Sequence, residues 1–95
     1  IIDPGFGFGK TDAHNFALLR GLHTLRITGR PVLTGISRKS MICRTLGVTP
    51  EAALNGTTAL HMAALLQGAS ILRVHDVKEA AEVIRLFGYL QNSDG

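Results

Sequence analysis

The sequence predicts an α/β fold in which parallel strands alternate with returning helices. Three apolar runs each end in a dense polar motif. Ile1-Ile2 leads into Asp3-Pro4-Gly5-Phe6-Gly7-Phe8-Gly9-Lys10, Pro31 to Ile36 into Ser37-Arg38-Lys39-Ser40, and Ser70-Ile71-Leu72 into Arg73-Val74-His75-Asp76-Val77. The motifs are evenly spaced: Ser37 follows Asp3 by 34 positions and Arg73 follows Ser37 by 36. That is the period of a strand plus a returning helix. Parallel strands joined by such crossovers point the same way, so their C-terminal ends share one rim. The three motifs are expected to meet there, where α/β barrels and open α/β sheets hold their chemistry.

The elements follow in order. Thr11 or Asp12 is the expected N-cap of a first helix, carried by Phe16, Leu18, Leu19, Leu22 and Leu25. Gly29 ends it and Pro31 blocks continuation. Val32 to Ile36 is a short strand. A second helix begins near Lys39 or Ser40 and stops before Gly47. Thr49 is the expected N-cap of a restart, with Pro50 at the first helical position. Thr57 to Gln67 is apolar almost all round, which predicts a helix buried on more than one side. Its outer face meets either another subunit or neighbouring elements. Gly68 ends it, and Ser70 to Val74 is the third strand. Asp76 and Glu79 form a D-x-x-E capping pattern for the last helix, whose inner face is read as Val77, Ala80, Ala81, Ile84 and Phe87. Gln91 to Gly95 reads as a frayed tail.

The composition suits one small aliphatic domain. The chain has 95 residues, 45% hydrophobic and 5% aromatic, with net charge +3. Its basic residues are dispersed, so a small anion is a better partner than nucleic acid. Cys43 is alone and cannot form an internal disulfide. No run approaches the ~18 apolar residues of a membrane span, and no signal peptide is visible; a cytoplasmic setting is expected. There is no initial Met, and Ile1-Ile2 already reads as the middle of a strand, so residues 1–95 are expected to be the C-terminal piece of a longer protein.

Each motif has a chemical and a plain structural reading. Three glycines in five residues let the backbone approach a ligand, and Phe6 and Phe8 can wall a flat ring. Asp3 at a strand end can accept two hydrogen bonds from adjacent N–H donors of a ring edge. The plain alternative is a tight turn with Asp3 bonded to its own backbone. The run is not a phosphate-binding P-loop, because Pro4 stands where that pattern needs glycine. In Ser37-Arg38-Lys39-Ser40, Lys39 can donate to a ring while its stem lies over it, and Ser40 can bind a carboxylate; the alternative is a capping serine with solvated charges. Strand alternation sends Arg73 and His75 to one side, which suits a diphosphate unless Asp76 or nearby carbonyls satisfy the pair. His14, His23 and His61 read as surface or packing residues.

Taken together, D-P-G-F-G-F-G-K, G-x-S-R-K-S and R-V-H-D-V, in that order and spacing, resemble the dihydropteroate synthase family over essentially the whole chain. One departure is Ala53, where many members carry arginine. The resemblance implies the last three βα units, strands six to eight, of a pterin-binding (β/α)8 barrel. It implies that Asp3, Gly35 and Lys39 bind the pterin, that Phe8, Ser40 and Lys39 line the 4-aminobenzoate pocket, and that Arg73 and His75 hold the leaving diphosphate. Lys39, Arg73 and His75 are the implied catalytic residues, and Arg38 a structural one. The family's Mg²⁺ ligand is implied to lie outside residues 1–95, and a homodimer through the helices is expected. A pterin-dependent methyltransferase of the same barrel superfamily would not need the Arg73/His75 anion site. A non-catalytic packing fragment is the other alternative.

Overall fold

A computed structural model describes residues 1–7 and 9–91. Phe8 and the tail beyond Gln91 lie outside the described residues. The element order is helix α1 (Asp12–Arg20), a 3₁₀ segment (Leu22–Thr28), strand β1 (Leu33–Thr34), helix α2 (Ser40–Leu46), a 3₁₀ turn (Pro50–Ala52), helix α3 (Leu54–Leu66), strand β2 (Ile71–Leu72) and helix α4 (Val77–Gln91).

The strands are parallel. Leu33 lies opposite Ile71 and Thr34 opposite Leu72, and Ile2 forms a parallel bridge to Val32. Leu33 N donates to Ile2 O at 2.8 Å and Arg73 N to Thr34 O at 2.9 Å. The spatial order is therefore the N-terminal segment, then β1, then β2, as the motif period requires. The regular strands are shorter than the apolar runs that carry them, two residues each.

The register sorts the side chains. Val32, Thr34 and Ile36 are buried, with Val32 and Ile36 in one cluster with Leu19, Leu22, Met41, Ile42, Ala53 and Ala64. The register partners Leu33 and Ile71 belong to the other face, where Leu33 is half-buried and Ile71 exposed. Phe6 is buried in the same cluster, so the glycine-rich loop is anchored by its first aromatic ring. Burying a side chain of that size stabilises by about 1.5–3 kcal/mol.

The helix ends follow local chemistry. Thr11 caps α1 by accepting from His14 N. Gly21 breaks the expected long first helix, and a tighter 3₁₀ turn continues to Gly29, whose φ of 72° is left-handed. Gly47 closes α2 in the same way, with φ 68°. Thr49 is the N-cap of the 3₁₀ turn and Pro50 opens it, as expected, although the Thr49 side chain makes no cap hydrogen bond. Two expectations are corrected. The all-round apolar helix begins at Leu54, ahead of Thr57. The inner face of α4 is Ala80 and Val83, with Phe87 half-buried, whereas Val77, Ala81 and Ile84 are exposed. A helix places i, i+3 and i+7 on one face, and Ala80, Val83 and Phe87 are that set. α3 packs most extensively against α4. No helix among the described residues is long and apolar enough to cross a membrane.

Candidate active site at the strand C-termini

The three motifs meet where the strands end. Gly35, Ser37, Lys39, Arg73, Val74 and His75 line one hollow of about 110 Å³. A second, of about 250 Å³, is lined by Phe6, Gly7, Lys39 and Ser40. Lys39 belongs to both, so it stands at their junction.

Lys39 reaches the glycine-rich loop, where its Nζ donates to Phe6 O at 2.7 Å. Burial lowers its pKa, the nearby Arg73 charge lowers it further, and Asp3 opposes both. Asp3 serves two neighbours. Its Oδ1 accepts from Gly5 N at 2.9 Å, which is the local turn bond foreseen as the plain alternative. Its Oδ2 lies 3.6 Å from Arg73 Nη1, so the first and third motifs also share an ion pair. The Arg73 guanidinium crosses the end of β1 directly over Gly35. A Cβ on that residue would sit 2.9 Å from both Cζ and Nε of Arg73. With the guanidinium in this position glycine leaves it room, and a larger residue would make the Arg73 side chain move.

Two cross-links tie the second motif to the third. The Ser37 hydroxyl is 2.8 Å from His75 Nδ1 and accepts from His75 N at 3.3 Å. Arg38 makes a bidentate pair with Asp76, Nε to Oδ2 at 2.9 Å and Nη2 to Oδ1 at 2.8 Å. Its Nη1 donates to the carbonyls of Pro50 and Glu51, and its backbone N–H to Thr57 Oγ1. Arg38 adopts φ 53°, the left-handed region, without being glycine. That conformation costs of order 1–2 kcal/mol and is held by contacts to three other parts of the chain. The Arg38 bonds lower the Asp76 pKa, and Asp76 raises that of Arg38. The structural role expected for Arg38 is therefore realised through Asp76.

Ser40 is exposed at the start of α2, and its hydroxyl accepts from Arg44 Nη2 at 3.0 Å. Arg44 also pairs with Asp12 at 2.9 and 3.1 Å, which joins α2 to α1.

Three contributors lack an assigned role in the sequence reading. Ser37 is buried behind His75. Asn15, 1% exposed, accepts from Gly7 N at 2.9 Å, and Lys10 Nζ donates to Gly5 O at 3.1 Å. Both hold the glycine-rich loop. A polar residue among the apolar positions of α1 was the available signal for Asn15. His61 is a packing residue, buried, with its pKa lowered by that burial. Among the described residues, no group of three or more His, Cys, Asp or Glu side chains could hold a metal ion.

Comparison with known proteins shows the family. The family model described as pterin binding enzyme matches residues 1–75. The dihydropteroate synthase of Escherichia coli strain K12 is 49% identical over 86 residues, which is 90% of this chain and 30% of that protein. Among solved structures, the Yersinia pestis enzyme with a pterine-sulfa conjugate superposes with a TM-score of 0.94 at 45% identity, covering 96% of this chain and 36% of that one. The Xanthomonas albilineans dihydropteroate synthase in complex with 7,8-dihydropteroate gives 0.91 at 43% identity, covering 96% and 35%. The chain thus spans about a third of the length of the relatives it matches.

Proposed function

We infer what the site does from one premise, that the chain belongs to the pterin binding enzyme family. The protein that carries it is proposed to be a dihydropteroate synthase. It joins 4-aminobenzoate to (7,8-dihydropterin-6-yl)methyl diphosphate and releases 7,8-dihydropteroate and diphosphate. Residues 1–95 are proposed as strands six to eight of the barrel with their helices, the C-terminal part of one pterin-binding domain. The half-exposed face of β1 and β2 suits a barrel interior that further strands complete.

The observation that carries this reading is the hollow shared by Lys39, Arg73 and His75. Two cations and an imidazole around one small space suit a diphosphate, and suit it more as the leaving oxygen gains charge. Arg73 and His75 hold that group. Asp3 and Lys39 grip the pterin edge, with Gly35 beneath. An ionised carboxylate has lone pairs to spare beyond the Gly5 bond, so Asp3 can serve a ligand without giving up its turn. As the methylene–oxygen bond breaks, the electron pair leaves with diphosphate. The ring stabilises the cationic methylene, and the 4-aminobenzoate nitrogen attacks that carbon and loses a proton. Ser40 and Lys39 border the pocket from which the amine approaches, and Phe8 is proposed to contact the same substrate.

The same reading places the protein in the cytoplasm as a homodimer through its helices, and gives it Mg²⁺ in the full enzyme. The residues proposed to hold that ion lie outside residues 1–95, and no step above is routed through it. A pterin-dependent methyltransferase fits less well, because methyl transfer releases no anion for Arg73 and His75 to hold.

Calorimetry with inorganic diphosphate on the intact enzyme tests the reading. Arg73→Ala should weaken binding strongly and His75→Ala less. Charge-assisted contacts are worth roughly 1.5–3 kcal/mol, or about ten- to a hundredfold for Arg73. Unchanged affinity in both variants would make the third motif structural and remove the leaving-group assignment.

A further inference from the structure

We propose that Ser37 is a positioning residue that holds His75 as the neutral Nε2–H tautomer, so that the ring presents a hydrogen-bond donor to the leaving diphosphate. The proposal rests on the diphosphate reading and adds a residue to which that reading gives no task.

A serine hydroxyl has two lone pairs and one hydrogen. Ser37 is 4% exposed, and one lone pair accepts the His75 backbone N–H at 3.3 Å. The hydrogen then has His75 Nδ1 as its acceptor at 2.8 Å. Were Nδ1 protonated, the hydroxyl would receive two donors and its own hydrogen would need another acceptor in a buried place. An unsatisfied buried donor costs more than the bond it replaces gains. Nδ1 is therefore the acceptor, and the ring proton sits on Nε2. That nitrogen lies at the far edge of a ring that is exposed and lines the hollow with Arg73 and Lys39. A neutral donor there adds a hydrogen bond to the anion without adding a third positive charge. The Arg38–Asp76 pair ties down the next residue along the chain.

Nitrogen NMR on the intact enzyme with labelled histidine tests this at a pH above ~7.5, where an ordinary histidine is neutral. The expected result is an unprotonated His75 Nδ1 and a protonated Nε2, with Ser37→Ala mixing the two tautomers. A proton resident on Nδ1 in the unmutated enzyme overturns the proposal, whatever the ligand does. Diphosphate calorimetry gives a second readout. Ser37→Ala should weaken binding about two- to tenfold. His75→Gln, whose side-chain N–H takes the place of Nε2–H, should bind more tightly than His75→Asn. On the His75→Gln background, Ser37→Ala should cost less than it does with His75 present, only the bond to the backbone N–H of residue 75 being lost; equal losses for Gln and Asn, or a full Ser37 effect on that background, would overturn the tautomer role. Failure of the unmutated enzyme to bind diphosphate would remove the diphosphate reading, while the nitrogen shifts still decide the Ser37–His75 arrangement.

Discussion

Lys39 is the residue on which the site's two hollows converge. Its ammonium is partly buried and lies near a guanidinium, so it gives up its proton more readily than a lysine at the ordinary value of 10.5. The folded state binds that proton less tightly than the unfolded chain does. Stability therefore rises with pH through the window just below 10.5, while ligand affinity that depends on the charge falls in the same window. In the intact enzyme, Lys39→Ala should weaken pterin binding and turnover by about ten- to a hundredfold, the range of a lost charge-assisted hydrogen bond. Titration of pterin affinity against pH should show the decline in the parent and a flat profile in the variant. A decline that persists in Lys39→Ala would assign the charge to another group.

Among the elements, the two threonine caps make a matched pair. Thr11 holds the amide of His14, whereas Thr49 makes no such bond. Thr11→Ala should destabilise the intact protein by about 1 kcal/mol, and Thr49→Ala by less than half of that. Thermal or denaturant unfolding would show it, and equal losses would refute the difference in capping. Both threonines precede a helical turn with similar polar surroundings, so the sequence alone does not separate them. The difference lies in whether the hydroxyl turns inward, and a following proline takes up the first helical position after Thr49. Other features were plain in the pattern: Gly29 and Gly47 stand where a left-handed residue ends a helical segment, and the motif period sets the parallel order. On α4, Ala80 and Phe87 are legible as inner-face positions, but several phases of this helix look apolar. Packing against α3 selects Val83 over Val77, Ala81 and Ile84. At the site, Asp3, Gly35, Lys39, Arg73 and His75 were legible by type and position. Ser37 and Asn15 were not, since their importance lies in which backbone amide each one meets across the fold.

At the scale of the whole molecule, the sheet of the described residues has two open edges. Among the described residues, β2 has a strand partner on one side only, and the N-terminal segment likewise. Val77, Leu86, Tyr89 and Leu90 of α4 are well exposed. Open strand edges invite pairing with other chains, and a closed barrel of this type takes eight strands in roughly 250 residues. Purified alone, residues 1–95 should form no dihydropteroate and should self-associate. Product assay and light scattering would check this, and a monodisperse, active 10.2 kDa monomer would refute the barrel assignment. The same unpaired edges also carry an address. Parallel strands offer their backbone groups in a fixed register, and the side chains behind them specify one face. On the proposed barrel reading, residues 1–95 supplied with the remaining strands as a separate polypeptide should reconstitute without a peptide bond between the two parts. Activity would then follow the second-order law of two partners meeting, which would make the site a reporter of their encounter.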